Sequence, residues 1–171
     1  MGMIESDKVL EQIAALLSEG KQVLFTPRGV SMRPFIEGGK DTVTLVKKPS
    51  VAVGDIILIH IADRYILHRV VAINPTPRPP YSSTPNIVLQ GDGNLQGYEQ
   101  CTPEDVLGTV IAIQSPKGRR KPLTKGRLWR LFKPFRRHLL RIYRFILKHS
   151  YPYSSTPLLL YSPTPNNEHR L

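Results

Sequence analysis

Three segments of the chain carry the residue types that nucleophilic catalysis needs. Ser31 follows a glycine and precedes a proline within residues 29–34. His68 lies in an apolar stretch, and Asp92 lies in a glycine-rich turn. A serine becomes a nucleophile when a neutral imidazole takes its proton, and a carboxylate behind the imidazole stabilises the resulting cation. The three residues therefore predict a Ser-His-Asp site, which is recognised by geometry and role rather than by chain order.

The neighbours of these residues strengthen the prediction. The chain reads Ser-Met-Arg-Pro from Ser31, Gly-Asp-Ile from Gly54, His-Arg-Val from His68 and Gly-Asp-Gly-Asn from Gly91. In this order the segments resemble the signal peptidase and LexA superfamily of serine peptidases, whose nucleophile lies in a Ser-Met-x-Pro motif. The resemblance spans residues 23–113. It implies a LexA-like or signal-peptidase-like β fold, with Ser31 as nucleophile, His68 as general base and no cofactor.

The second catalytic residue separates the branches of that superfamily. Bacterial signal peptidases and LexA-like proteins use lysine, whereas the endoplasmic-reticulum type has histidine, as at His68 here. The turn at Asp92 resembles the Gly-Asp-Asn-Asn signature of the histidine branch. That branch also carries acidic residues shortly after the turn, where this chain has Tyr98 and Glu99. Asp92 is the predicted third member of the site, and Glu99 is the competing acid.

Each of these residues also has a purely structural interpretation. Ser31 alone is typical of a turn, and His68 alone is typical of a histidine on a buried strand face. Asp92 suits a turn in which it bonds its own backbone. The single cysteine, Cys101, excludes an internal disulfide and is interpreted as inert, and no Cys or acidic cluster predicts a metal site.

The elements that must position the site are mostly strands. Helical spacing over residues 6–19 predicts a short helix, with Ser6 as its N-cap and Gly20 as its stop. Apolar and β-branched stretches predict strands over residues 22–26, 42–46, 56–61, 65–73, 87–90 and 106–113. Residues 62–64 join the middle pair as a hairpin, and the proline-rich residues 74–86 predict a loop. The predicted fold is mainly β with one leading helix.

Charge divides the chain into segments. Residues 1–116 hold 10 Lys or Arg and 12 Asp or Glu, whereas residues 117–148 hold 13 Lys or Arg and no acid. We therefore expect an N-terminal helix over residues 1–20, a catalytic domain over 21–116, a basic amphipathic helix over 117–150 and a disordered tail over 151–171. Many large apolar residues accompany the charges of residues 127–148, which favours an anionic membrane surface as partner over nucleic acid.

No apolar stretch is long enough for a transmembrane helix, and the acidic N-terminus does not resemble a signal peptide. We expect a cytoplasmic protein, or one bound peripherally at the inner membrane face, that cleaves peptide or precursor segments. A LexA-like self-cleaving regulator is the alternative with the same fold. It is disfavoured because the base is histidine and the chain contains no Ala-Gly bond. A non-enzymatic membrane-binding or nucleic-acid-binding module with a vestigial site is the third hypothesis.

Overall fold

The structure is a computed structural model that describes residues 2–74, 86–123 and 135–150. The helices in these ranges are α1, Gly2–Ser18, and α2, Arg136–Ser150. The strands are β1 Val23–Phe25, β2 Thr42–Val46, β3 Ile56–Ile61, β4 Arg64–Asn74, β5 Asn86–Gln90, β6 Glu99–Cys101, β7 Val106–Gln114 and β8 Arg120–Lys121. The predicted mainly β fold with a leading helix is confirmed, and β2 has the predicted bounds.

All strand pairs are antiparallel, in the order β1-β2-β7-β3-β4-β5-β6, and β8 pairs with the end of β7. Strand β3 lies near the middle and is buried on both faces. Ile56 and Leu58 belong to one apolar cluster, and Ile57 and Ile59 belong to a second cluster on the other side. A strand covered on both faces reads as a continuous apolar run, which explains the composition of β3.

Helix α1 covers the first of these clusters with Ile13 and Leu17, both fully buried. It begins at Gly2, so the predicted N-cap Ser6 lies inside the helix instead. The predicted stop is where the chain leaves the helix: Gly20 has φ of 76°, and its N–H donates to the carbonyl of Leu17. The next residue donates to Leu16, which completes a Schellman motif.

The β3–β4 hairpin fixes the register of the strand that carries His68. Its loop is Ala62 and Asp63 alone, with φ of 47° and 60°, as a type I′ turn requires. The loop is one residue shorter than predicted, because Arg64 pairs with Ile61.

Two strands, β6 and β8, are additional to the predicted set. Strand β8 lies within residues 117–150, which were predicted as helix, and there only residues 136–150 are described as an α-helix. Three predicted segments lie outside the described residues. They are the proline-rich loop over 75–85, part of the predicted basic helix (residues 124–134) and the tail over 151–171. Of the helices that the structure describes, none is long and apolar enough to cross a membrane.

Candidate active site

Ser31 lies in a tight turn between β1 and β2. Within the turn, Arg33 donates its N–H to the carbonyl of Val30, and Ile36 donates to Met32. These bonds fold the chain back on itself, so that the peptide around Ser31 faces the turn after β5. There the N–H of Gly93 donates to the carbonyl of Ser31 at 2.7 Å.

His68 is buried on β4, directly across from the same glycine-rich turn. Arg69 pairs with Gln90, so the register brings Gly91 beside His68. A Cβ on Gly91 would lie 2.6 Å from the carbonyl oxygen of Ser31 and 2.9 Å from Nε2 of His68. A real Cβ does not approach atoms so closely. Gly91 therefore permits the serine turn and the imidazole to converge, and Nε2 is the ring nitrogen on this side.

Glu99 occupies the other side of the imidazole. Its Oε2 lies 2.7 Å from Nδ1 of His68, and the two side chains are 28% and 6% exposed. With the Nδ1–H donated to this carboxylate, Nε2 carries the lone pair that can accept a proton. Glu99 begins the short edge strand β6, where it pairs with Leu89.

Asp92 is held by a different partner. Nε of Arg69 donates to Oδ1 of Asp92 at 2.9 Å, and Nη2 donates to Oδ2 at 2.7 Å. Both side chains are about 4% exposed, so this is a buried bidentate ion pair. The structure does not bring Asp92 to the predicted orienting position on His68. Glu99, the competing acid, stands there, because successive residues of β4 point to opposite faces and Arg69 faces Asp92.

The Arg69–Asp92 pair joins three of the motif segments. Nη1 of Arg69 also donates to the carbonyl of Gly54 at 2.8 Å. Asp55 acts structurally in the same turn: its carbonyl accepts the N–H of Val70 at 2.8 Å. One hydrogen-bonded unit thus joins three of the motif segments: Gly-Asp-Ile, His-Arg-Val and Gly-Asp-Gly-Asn.

A pocket of about 300 Å³ opens over Ser31 and His68. Its wall combines residues of the serine turn, β4 and the region after β5: Pro27, Arg28, Gly29, Ser31, Met32, Ile36, Gly38, Arg64, Tyr65, Ile66, Leu67, His68, Asn94 and Glu99. Met32 lines this pocket and also belongs to the first apolar cluster. Ser31, His68 and Glu99 thus lie on the wall of one pocket, together with apolar side chains.

The remaining candidate residues lie apart from this arrangement. His60 stacks on Tyr65, with ring centroids 4.3 Å apart. Cys101 is buried, and desolvation followed by the charge of Asp105 raises its pKa to about 12. Within residues 2–74, 86–123 and 135–150, no group of three or more His, Cys, Asp or Glu is arranged to hold a metal ion.

Comparison of the chain with protein-family models, with curated proteins and with solved structures gave no match.

Proposed function

We propose that the protein is a serine endopeptidase with Ser31 as nucleophile, His68 as general base and Glu99 as the acid that orients the imidazole. The observation that carries the proposal is the 2.7 Å contact between Glu99 and Nδ1 of His68 on the wall of a pocket that Ser31 also lines. A carboxylate on Nδ1 is the arrangement that leaves Nε2 ready to accept the serine proton.

In the proposed reaction, Oγ of Ser31 attacks the carbonyl carbon of the scissile bond while Nε2 of His68 takes the hydroxyl proton. Glu99 stabilises the imidazolium without itself becoming protonated. The tetrahedral intermediate collapses, the peptide C–N bond breaks, and the imidazolium returns its proton to the leaving amine. Water then attacks the acyl carbon while His68 takes one of its protons, the ester C–O bond breaks, and the imidazolium returns the proton to Oγ of Ser31.

The negative oxygen of the intermediate needs donors that are already in place. Within the described serine turn, the backbone N–H groups of Arg33, Phe35 and Ile36 donate to the turn itself. The N–H of Ser31 is not among these bonds, and we assign it to the oxyanion. A pocket of about 300 Å³ has room for a few small side chains, which supports an extended peptide or precursor segment as substrate.

A serine-directed fluorophosphonate tests the proposal without knowledge of the natural substrate. The full-length protein should be labelled covalently, whereas Ser31→Ala should remain unlabelled and His68→Ala should react far more slowly. A Ser18→Ala variant is a matched control, because Ser18 is an exposed residue at the end of α1. Labelling that persists in Ser31→Ala at the wild-type rate would refute the assignment. New protein N-termini that disappear in cells carrying Ser31→Ala would then identify the substrates.

A further inference from the structure

Helix α2 has a buried side and an exposed apolar side among the residues that the structure describes. Leu140 is 2% exposed, and the hydroxyl of Tyr143 donates to Oε2 of Glu37 at 3.1 Å. The hydrogen bond from Tyr143 to Glu37 attaches the helix to the segment that follows the serine turn. Because the side of α2 that carries Tyr143 faces the domain, another side of the helix faces solvent.

The solvent-facing side is formed by large apolar residues. Phe135, Leu139 and Ile142 are 62%, 40% and 58% exposed, and Phe145 and Ile146 are also exposed. Phe135, Leu139, Ile142 and Ile146 recur at steps of four, three and four, which places them on one face of a helix. Packing of this stripe on the core is the plain alternative. It does not fit the structure, in which Phe135, Leu139 and Ile142 are exposed and Leu140 is buried.

The charge of the same region indicates what covers this stripe. Residues 117–148 contain 13 Lys or Arg and no Asp or Glu, and Arg141 of α2 is exposed beside the stripe. Face-to-face pairing of two copies would bring two such basic segments together. Nucleic acid would match the charge but would leave the stripe in water. An anionic lipid surface accommodates both the apolar residues and the cations.

The length of α2 fixes its orientation at such a surface. Fifteen residues of α-helix extend about 22 Å, less than the roughly 30 Å of a bilayer core. The helix is too short and too charged to span, so its apolar stripe enters the interface while its axis lies in the membrane plane.

We infer that α2 and the residue just before it dock the protein on an anionic membrane through Phe135, Leu139 and Ile142. Tyr143 holds the globular domain on another side of the same helix. Glu37, the partner of Tyr143, is also paired with Arg33 of the serine turn. The turn that presents Ser31 is thus connected to the docked helix by two successive side-chain contacts, and the pocket keeps a fixed position relative to the lipid.

Vesicle binding tests this inference independently of any peptidase activity, because full-length Ser31→Ala protein is used throughout. We expect it to sediment with phosphatidylglycerol-containing vesicles, weakly with pure phosphatidylcholine, and less at high salt. Ile142→Gln should weaken binding about tenfold or more, since an inserted apolar side chain is lost. Arg141→Gln should weaken it about fivefold, which corresponds to about 1 kcal/mol per basic residue.

Ile111→Gln is the matched control, because Ile111 is 38% exposed on β7 and not on the helix. It should bind as the parent protein does, and circular dichroism should show that all the variants are folded. Equal binding to neutral and anionic vesicles, or unchanged binding by folded Ile142→Gln, would overturn the inference. Two other results would also overturn it. One is a dimer of the parent protein that the Ile142→Gln substitution dissociates, and the other is binding to a short RNA duplex without binding to vesicles.

Discussion

Exchanging each acid near His68 for its amide should separate catalysis from folding. Glu99→Gln keeps the size of the side chain but removes the charge opposite the imidazolium. Two unit charges about 4 Å apart interact by about 4 kcal/mol at an effective dielectric constant near 20. Glu99 is partly exposed, so this is an upper limit for the pair. At about 1.4 kcal/mol per tenfold in rate, we expect reactivity to fall about 10²- to 10³-fold.

Asp92→Asn should instead lower the stability of the fold and leave the reactivity of Ser31 nearly unchanged. It removes the charged partner of Arg69 from a pair in which both side chains are about 4% exposed. Breaking a buried pair by neutralising one member typically costs about 3–5 kcal/mol. For a domain of this size, a loss of about 3 kcal/mol lowers the melting temperature by roughly 6–12 °C. Reactivity measured well below that temperature should change by less than about tenfold.

The assay is the second-order rate of fluorophosphonate labelling of Ser31, measured alongside thermal unfolding of the same samples. A folded Asp92→Asn protein that loses as much reactivity as Glu99→Gln would refute the assignment of the orienting role to Glu99. Glu99→Gln with wild-type reactivity would refute the need for any acid on His68.

Three further expectations concern packing and buried groups. Gly91→Ala should abolish fluorophosphonate labelling, since its Cβ would stand 2.6 Å from a backbone oxygen of the serine turn. Gly20→Ala is the control: Gly20 has φ of 76° and open space around it, so this substitution should lower the melting temperature only. Cys101, with its pKa raised to about 12 by burial and then by a nearby acid, should react with iodoacetamide at pH 8.5 far more slowly in the native than in the unfolded protein; equal rates would contradict this. Burial, followed by the charge of Glu37, raises the pKa of Tyr143 from 10.0 to about 12. The hydroxyl therefore stabilises the fold fully below pH 10 and loses this effect as the pH rises towards 12. Tyr143→Phe should lower the free energy of unfolding by about 1 kcal/mol at pH 7 and by less at pH 11, as denaturant titrations would show.

The parts of the molecule that local patterns determine were predictable from the sequence. The β-branched run of β2, the continuous apolar run of β3 and the glycine after α1 each depend on nearby residues. Ser31 and His68 could be proposed as partners because motifs marked them, and the structure places both on one pocket. The motif also marked Gly91, but its close approach to both residues follows from strand register, which the sequence does not show.

Choosing between Asp92 and Glu99 required the three-dimensional arrangement. Both acids are near the same turn in sequence, and only the alternation of β4 assigns Arg69 to Asp92 and leaves His68 for Glu99. Strand β6 was missed because three residues of mixed polarity, Glu99–Cys101, have no recognisable strand pattern. Strand β8 was missed because a two-residue pairing within a basic segment is decided by its neighbour β7 rather than by its own composition.

Glu99 lies at the start of a three-residue strand on the edge of the sheet, paired only with β5 among the described strands. Short edge segments open with much lower free energy than central strands do, because few contacts must break. The acid beside His68 therefore belongs to a weakly anchored edge of the sheet, whereas the imidazole belongs to a long strand paired on both sides. On warming, we expect the proposed catalytic arrangement to come apart locally while the sheet is still intact, so that loss of reactivity precedes unfolding and reverses on cooling. The working temperature of such a protein is then set by β6, and lengthening the β5–β6 pairing would raise it without any change to the core.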